Sequence, residues 1–180
     1  MHARTSAPAL VLLVAPFLLS AQTVAYRGAT LWDGTGAPPV PDATLVVRNG
    51  RVVAAGRVDT PEGARVVDLT GHWIVPGLVN AHGHVSGAWA PEGVEDERAR
   101  VEADLLLYAR YGVTTVNSLG GEPDAAFALR DGPAPAGPAR ARVRVAGPVL
   151  YETSADDGRA AVRAAAARGP DWIKIRVDDN

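Results

Sequence analysis

From residue 77 onward, short apolar runs alternate with helix-period stretches, and this alternation constrains the fold more than any other feature of the chain. "GLVNAHGHV" (77–85) is followed by "EDERARVEADLLLYARYG", in which Val101, Leu105 and Tyr108 recur at helical spacing. "GVTTVNSLG" (112–120) precedes a short helix at "PDAAFALR", and "ARVRVAGPVL" (141–150) precedes an alanine-rich helix with Ser154 as its N-cap. "DWIKIRVDD" (171–179) is the last strand. Strands separated by helices predict a parallel sheet of βαβ units, so the fold class is α/β.

Residues 22–75 lack the helical period. Their β-branched runs are interrupted by Gly, Asp and Asn, and Asn49-Gly50 between two valine-rich runs marks a hairpin. This segment reads as a small β domain, and residues 76–180 as a second unit. Before both comes "APALVLLVAPFLL" (7–19), with Arg4 on one side and small residues near Ala21 on the other. The layout predicts a secretory signal over residues 1–21, and hence export to the periplasm or the medium. The alternative is a membrane anchor, but the apolar core is short of the ~20 residues that spanning takes, and it holds Pro8 and Pro16.

Composition narrows the chemistry. The chain is 47% hydrophobic and 21% charged, which suits a globular protein, and its net charge of −2 gives no reason to expect nucleic acid or an anionic membrane as a partner. Without cysteine it has no thiol nucleophile and no thiolate metal site. A metal must be held by His, Asp, Glu or a modified Lys.

His82 and His84 stand one residue apart at the end of an apolar run. Residues i and i+2 of a strand face the same way, so both imidazoles leave one face at the strand's carboxyl end, where parallel α/β folds bind ligands. Neutral imidazole is a standard ligand for zinc and similar ions. The plainer alternative is a pair that only hydrogen-bonds in a loop. His2 falls in the signal, and His72 in the β domain reads as structural or exposed. Lys174 is the only lysine among 18 basic residues. A lysine can lose its proton and react, which arginine does not do. The alternation of "DWIKIRV" sets Trp172, Lys174 and Arg176 against Ile173, Ile175 and Val177. Alone, Lys174 reads equally well as a snorkelling surface residue. "NSLGGEP" (117–123) is either part of a pocket wall or a plain turn.

"VPGLVNAHGHV" resembles the opening metal motif of the amidohydrolase superfamily. "RGATLWDGTG" and "VVRNGRVVAAG" are similar to the small β domain of its imidazolonepropionase-like branch, and "DWIKI" resembles the fourth-strand segment that carries a carboxylated lysine. The likeness covers residues 23–180. It implies the N-terminal part of a (β/α)8 barrel, about four βα units, preceded by a β-sandwich-like domain. It implies His82, His84 and Lys174, the last as a carbamate, as ligands of one or two divalent ions, zinc first among the candidates. The implied activity is hydrolysis of an amide, cyclic amide or dipeptide C–N bond in a small molecule, and a homo-oligomer is compatible with it. Asn80 stands where many members have Asp, at a position that is not a ligand. Residues 76–180 are under half of the roughly 250 that a full barrel takes. The remaining histidine ligands and the general-base aspartate are therefore expected beyond residue 180, and this portion by itself is expected to be inactive. The alternative from a different class is a non-catalytic secreted α/β binding protein, although the glycines of "AHGHVSGAWAPEG" form no phosphate-binding motif.

Overall fold

The computed structural model describes residues 23–133, 140–151 and 154–177, which divide between Pro76 and Gly77 into two compact units. The expected signal, residues 1–21, lies outside the described residues, as do Asp178 and Asp179. Among the described residues no helix is long and apolar enough to cross a membrane.

The first unit is one five-stranded sheet. β1 (Thr23–Leu31), β2 (Val40–Arg48), β3 (Arg51–Gly56) and β4 (Arg65–Asp68) lie in the order β3-β2-β1-β4, and β5 (Trp73–Ile74) pairs with the far end of β1. β2 and β3 form the hairpin that Asn49-Gly50 predicts. Both turn residues have positive φ, 52° and 71°, which matches the twist of a two-residue turn to that of its strands. Val24, Ala25, Ala29, Leu31, Ala43 and Val46 are buried. A second sheet layer, as a sandwich requires, is not seen among the described residues of this unit.

The second unit is mixed α/β. β6 (Leu78–Gly83), β7 (Val113–Ser118) and β8 (Arg142–Arg144) form a parallel sheet in that order. α1 (Glu97–Arg110) connects the first two, and α2 (Asp124–Asp131) follows β7. The Asp96 side chain caps α1 by accepting from the Ala99 N–H at 2.7 Å. Val101 and Leu105 of α1, Ala126 and Leu129 of α2, Val116 of β7 and Val143 of β8 form the core, with Val85 and Val145. β9 (Val149–Leu150) pairs in parallel with β10 (Lys174–Ile175), and α3 (Ala155–Ala166) connects them, capped by Ser154 as expected.

Two of the expected strands are shorter than their apolar patterns. Residues 141–150 split into β8 and β9, because the Val145 N–H donates to the Asp171 carboxylate (2.9 Å) and the Gly147 N–H to Glu122 (2.7 Å). Donors committed to carboxylates are lost to a ladder. "DWIKIRVDD" contracts to Lys174–Ile175, since the Asp171 and Trp172 N–H groups turn back to the Val145 carbonyl. The alternation expected there does not bury its apolar side: Ile175 is exposed and Val177 is 83% exposed. Ile175 instead lines an open groove of about 440 Å³ with Leu150, Ala155 and Val162.

Candidate metal centre

β6 delivers the histidine pair. His82 is in the strand and His84 one residue past its end, with ring centroids 5.6 Å apart and planes inclined by 55°. Both are exposed. Gly83 between them is buried because the strand end is pressed against its neighbours. A methyl group there would lie 2.8 Å from Val116 Cγ1, 2.9 Å from Asn80 Nδ2 and 3.0 Å from Tyr108 Oη. Asn80 accepts the His82 N–H through Oδ1 at 3.1 Å, so it shapes the strand end from outside the donor set. The Val85 N–H donates to Ser118 Oγ (3.0 Å) and the Leu119 N–H to the Gly83 carbonyl (3.0 Å), which ties the ends of β6 and β7 together.

The His84 ring is oriented. Its Nδ1 lies 3.2 Å from the Gly120 carbonyl oxygen. A carbonyl only accepts, so Nδ1 is the donor, which leaves Nε2 as the acceptor nitrogen whenever the ring is neutral. A second ring nitrogen held by a backbone carbonyl is the usual outer support of a metal-binding histidine. The donor chemistry therefore suits a divalent ion.

Lys174 lies in β10, with its stem beside Gly120 of the loop after β7. It is half-buried and pairs in register with Val149. Gly120, at φ 109°, gives both residues room: a methyl group on it would lie 2.5 Å from Val149 Cγ2 and 3.3 Å from Lys174 Cγ. Gly120 thus touches the lysine stem and accepts from His84. Among the described residues the Lys174 amine enters no ion pair. No group of three or more His, Asp or Glu that could hold a metal occurs among the described residues; the histidines brought together are His82 and His84. His72 belongs to the first unit, with Nδ1 3.1 Å from the Thr70 carbonyl oxygen.

Two buried carboxylates hold this arrangement, and neither was anticipated as functional from the sequence. Asp104 on α1, 1% exposed, accepts from the N–H groups of Ser86 (3.1 Å), Gly87 (2.8 Å) and Trp89 (2.9 Å), which fixes the loop that leaves the histidines. Arg100 from the same helix donates to the Gly87 carbonyl at 3.0 Å. Glu122, 7% exposed, accepts from Gly120 and Gly147 at 2.7 Å each and so joins the loops after β7 and β8. The signal for Asp104 was a charge set within the apolar stripe of Val101 and Leu105. Of "NSLGGEP", Asn117 and Ser118 end β7, and Gly120 lies beside His84 and the Lys174 stem.

No family model matches the chain. It is 42% identical over 89 residues to N-acyl-D-aspartate deacylase of Alcaligenes xylosoxydans xylosoxydans, covering 49% of this chain and 16% of that one. It is 37% identical over 101 residues to an uncharacterized protein of Mycobacterium tuberculosis, covering 53% of this chain and 15% of that one. Among solved structures, phenylurea hydrolase B superposes with a TM-score of 0.70 at 27% identity, over 88% of this chain and 46% of that one. Molinate hydrolase superposes at 0.58 and 28%, over 72% of this chain and 31% of that one. The chain therefore spans about a sixth of those sequence relatives and less than half of those structures. The solved structures that this chain resembles are members of the amidohydrolase superfamily.

Proposed function

We propose that the whole protein is a metal-dependent hydrolase of C–N bonds in amides, cyclic amides or dipeptides, and that the three parallel strands are the first staves of its barrel. The observation that carries this is the His84 ring, whose Nδ1–H is held by Gly120 so that Nε2 is free beside the His82 imidazole at a strand's carboxyl end. The relatives lend the bond type: one is named a deacylase, and a dihydroorotase of Anaeromyxobacter dehalogenans is 44% identical over 43 residues.

His82 and His84 would hold one divalent ion, with zinc the first choice for imidazole donors. When bound, such an ion polarises the scissile carbonyl and lowers the pKa of an attacking water. Lys174 would supply an anion: its neutral amine adds to carbon dioxide, loses a proton and leaves a carbamate able to bridge two ions. The remaining ligands and the general base would come from parts of the whole protein outside residues 1–180.

Metal analysis tests the reading. In the complete protein, the double variant His82→Ala, His84→Ala should lose bound zinc and activity together. Lys174→Arg should keep the charge, lose one of two ions and most activity, and Lys174→Ala should regain part of it with an added short carboxylic acid. Unchanged metal content in the double variant would remove the proposal, whereas an active, fully metallated Lys174→Arg protein would reduce it to a one-metal hydrolase.

Export belongs to the same proposal, on the strength of the short apolar core of residues 7–19. Mass spectrometry of protein from a secreting host should show a chain that begins near residue 22. A retained Met1 would indicate an anchor instead.

A further inference from the structure

We infer that Glu122 is a positioning residue for His84, acting through the Gly120–Gly121 peptide. The inference deepens the metal-centre reading and rests on it. The connection can be followed bond by bond. The peptide unit joining Gly120 to Gly121 presents its oxygen to His84 Nδ1 (3.2 Å) and its N–H to the Gly147 carbonyl (2.8 Å). Both ends of that arrangement are fixed by one carboxylate. Glu122 Oε1 accepts the Gly120 N–H and Oε2 accepts the Gly147 N–H, each at 2.7 Å. The peptide that orients His84 is thus held from two loops, and the two loops are held to each other by Glu122.

The chemistry of Glu122 is selective for this task. The carboxylate is 7% exposed and enters no ion pair among the described residues, so its charge is met by backbone N–H groups. Charge-assisted bonds from N–H to a carboxylate are short and strong, and two of them to separate loops resist both translation and rotation of the turn. Gly120 and Gly121 have φ of 109° and 81°, a backbone path that glycine follows without strain and that has no intrinsic reason to remain in one conformation. The His84 acceptor is therefore held by the Gly121 N–H bond to Gly147 and by Glu122, which fixes both Gly120 and Gly147. The same turn carries the surface against which the Lys174 stem lies, so a shift there moves the neighbour of a second donor as well.

Glu122→Gln separates this role from simple bulk. The amide has the same shape, but its NH2 group must face either the Gly120 or the Gly147 N–H, two donors nose to nose. In the complete, metal-free protein, 15N shifts of the His84 ring should show the Nδ1–H tautomer in the native sequence and a mixture of tautomers in Glu122→Gln. Zinc affinity of the same variant should fall about tenfold or more, the usual effect of losing an outer support of a metal ligand. Glu122→Asp, which keeps both acceptors one methylene short, should lie between the two in both readouts. A folded Glu122→Gln protein with unchanged His84 tautomer and unchanged zinc affinity overturns the inference. So does a native protein whose His84 is the Nε2–H tautomer, a measurement that needs no variant to fold. Neither readout uses hydrolysis, so an inactive protein with the expected tautomers would count against the proposed reaction and leave the role of Glu122 standing.

Discussion

Carboxylates organise the backbone in both units, but over different ranges. In the first unit Asp33 accepts the N–H and hydroxyl of Thr35, and Asp68 those of Thr70, each two residues along the chain and each exposed. In the second unit Asp104 reaches 15 to 18 residues back to three N–H groups, Glu122 reaches 25 residues to Gly147, and Asp171 reaches 26 residues to Val145. The local motif serves a turn that its sheet already defines. The long-range motif holds irregular loops at the carboxyl ends of strands, where backbone donors have no ladder to satisfy them and would otherwise be buried unpaired. On this comparison the long-range clamps of the second unit should matter more to stability than the local ones of the first.

The sharpest way to break this comparison is Asp104→Ala. It leaves the amides of Ser86, Gly87 and Trp89 without their acceptor, and at ~1–3 kcal/mol for each buried donor left unmet, partly relieved by water, the loss should be about 3–5 kcal/mol. Denaturant unfolding of the complete protein measures it, and hydrogen exchange should quicken at those three amides. A loss below ~1 kcal/mol would show that the loop keeps its shape without the clamp.

The range of these bonds also decides what the sequence discloses. Asn49-Gly50 encodes its hairpin in two residues, Ser154 its helix start in one, and His82 and His84 their shared face through a spacing of two; all three are found as read. Residues 141–150 look like one strand, yet the chain leaves the ladder after Arg144, because the partners of Val145 and Gly147 are carboxylates some 25 residues distant. The one local hint was the Gly147-Pro148 pair, a frequent strand breaker. Asp104 was visible as a charge among Val101, Leu105 and Tyr108, but which donors it would meet depends on how α1 lies over the β6 loop. Lys174 drew notice by being the sole lysine, and its approach to Gly120 became apparent only with the fold.

Asp171 offers an intermediate case and a pH test. Burial pushes its carboxyl up, but the Val145 N–H, the hydrogen bond from Arg130 and the charges of Arg130 and Arg144 outweigh this, and the group lies below the usual carboxylate value. A depressed folded value means that its contribution is present above the unfolded pKa of about 3.9 and is lost as pH falls through the folded value. Asp171→Asn should cost about 1–2 kcal/mol at pH 7, as expected for a charged hydrogen bond that is partly solvated. Melting curves of the two proteins should converge as pH drops below about 4. A gap that persists unchanged to pH 2 would mean that packing, not charge, is what Asp171 contributes.

The smallest effect is expected at Asp68, where the local motif can be tested against the long-range one. Its carboxyl is held below the ordinary range by the Thr70 hydroxyl first and the Thr70 N–H second, yet it is fully open to solvent. The turn does not depend on it. The Leu69 N–H donates to the Arg27 carbonyl (2.7 Å), the His72 N–H to the Leu69 carbonyl (2.9 Å) and the Thr30 N–H to the His72 carbonyl (2.9 Å), so the backbone on both sides is already paired to β1. Packing also holds it: Thr70 Oγ1 would be only 2.5 Å from a methyl group on Gly28, which leaves the turn little freedom to move inward. Asp68→Asn keeps an acceptor for the Thr70 N–H and surrenders only a charge that water screens. Its thermal midpoint at pH 7 should therefore match the native protein within experimental error. At pH 3 the two should be closer still, because the depressed carboxylate favours folding only above its unfolded pKa. Gly28→Ala in the same unit should be clearly destabilising, since it meets Thr70 at a backbone with φ of 81°. If Asp68→Asn lowered stability as much as Asp104→Ala, a carboxylate two residues from its donors would be as indispensable as one acting across eighteen, and the distinction between the two units would rest on topology alone.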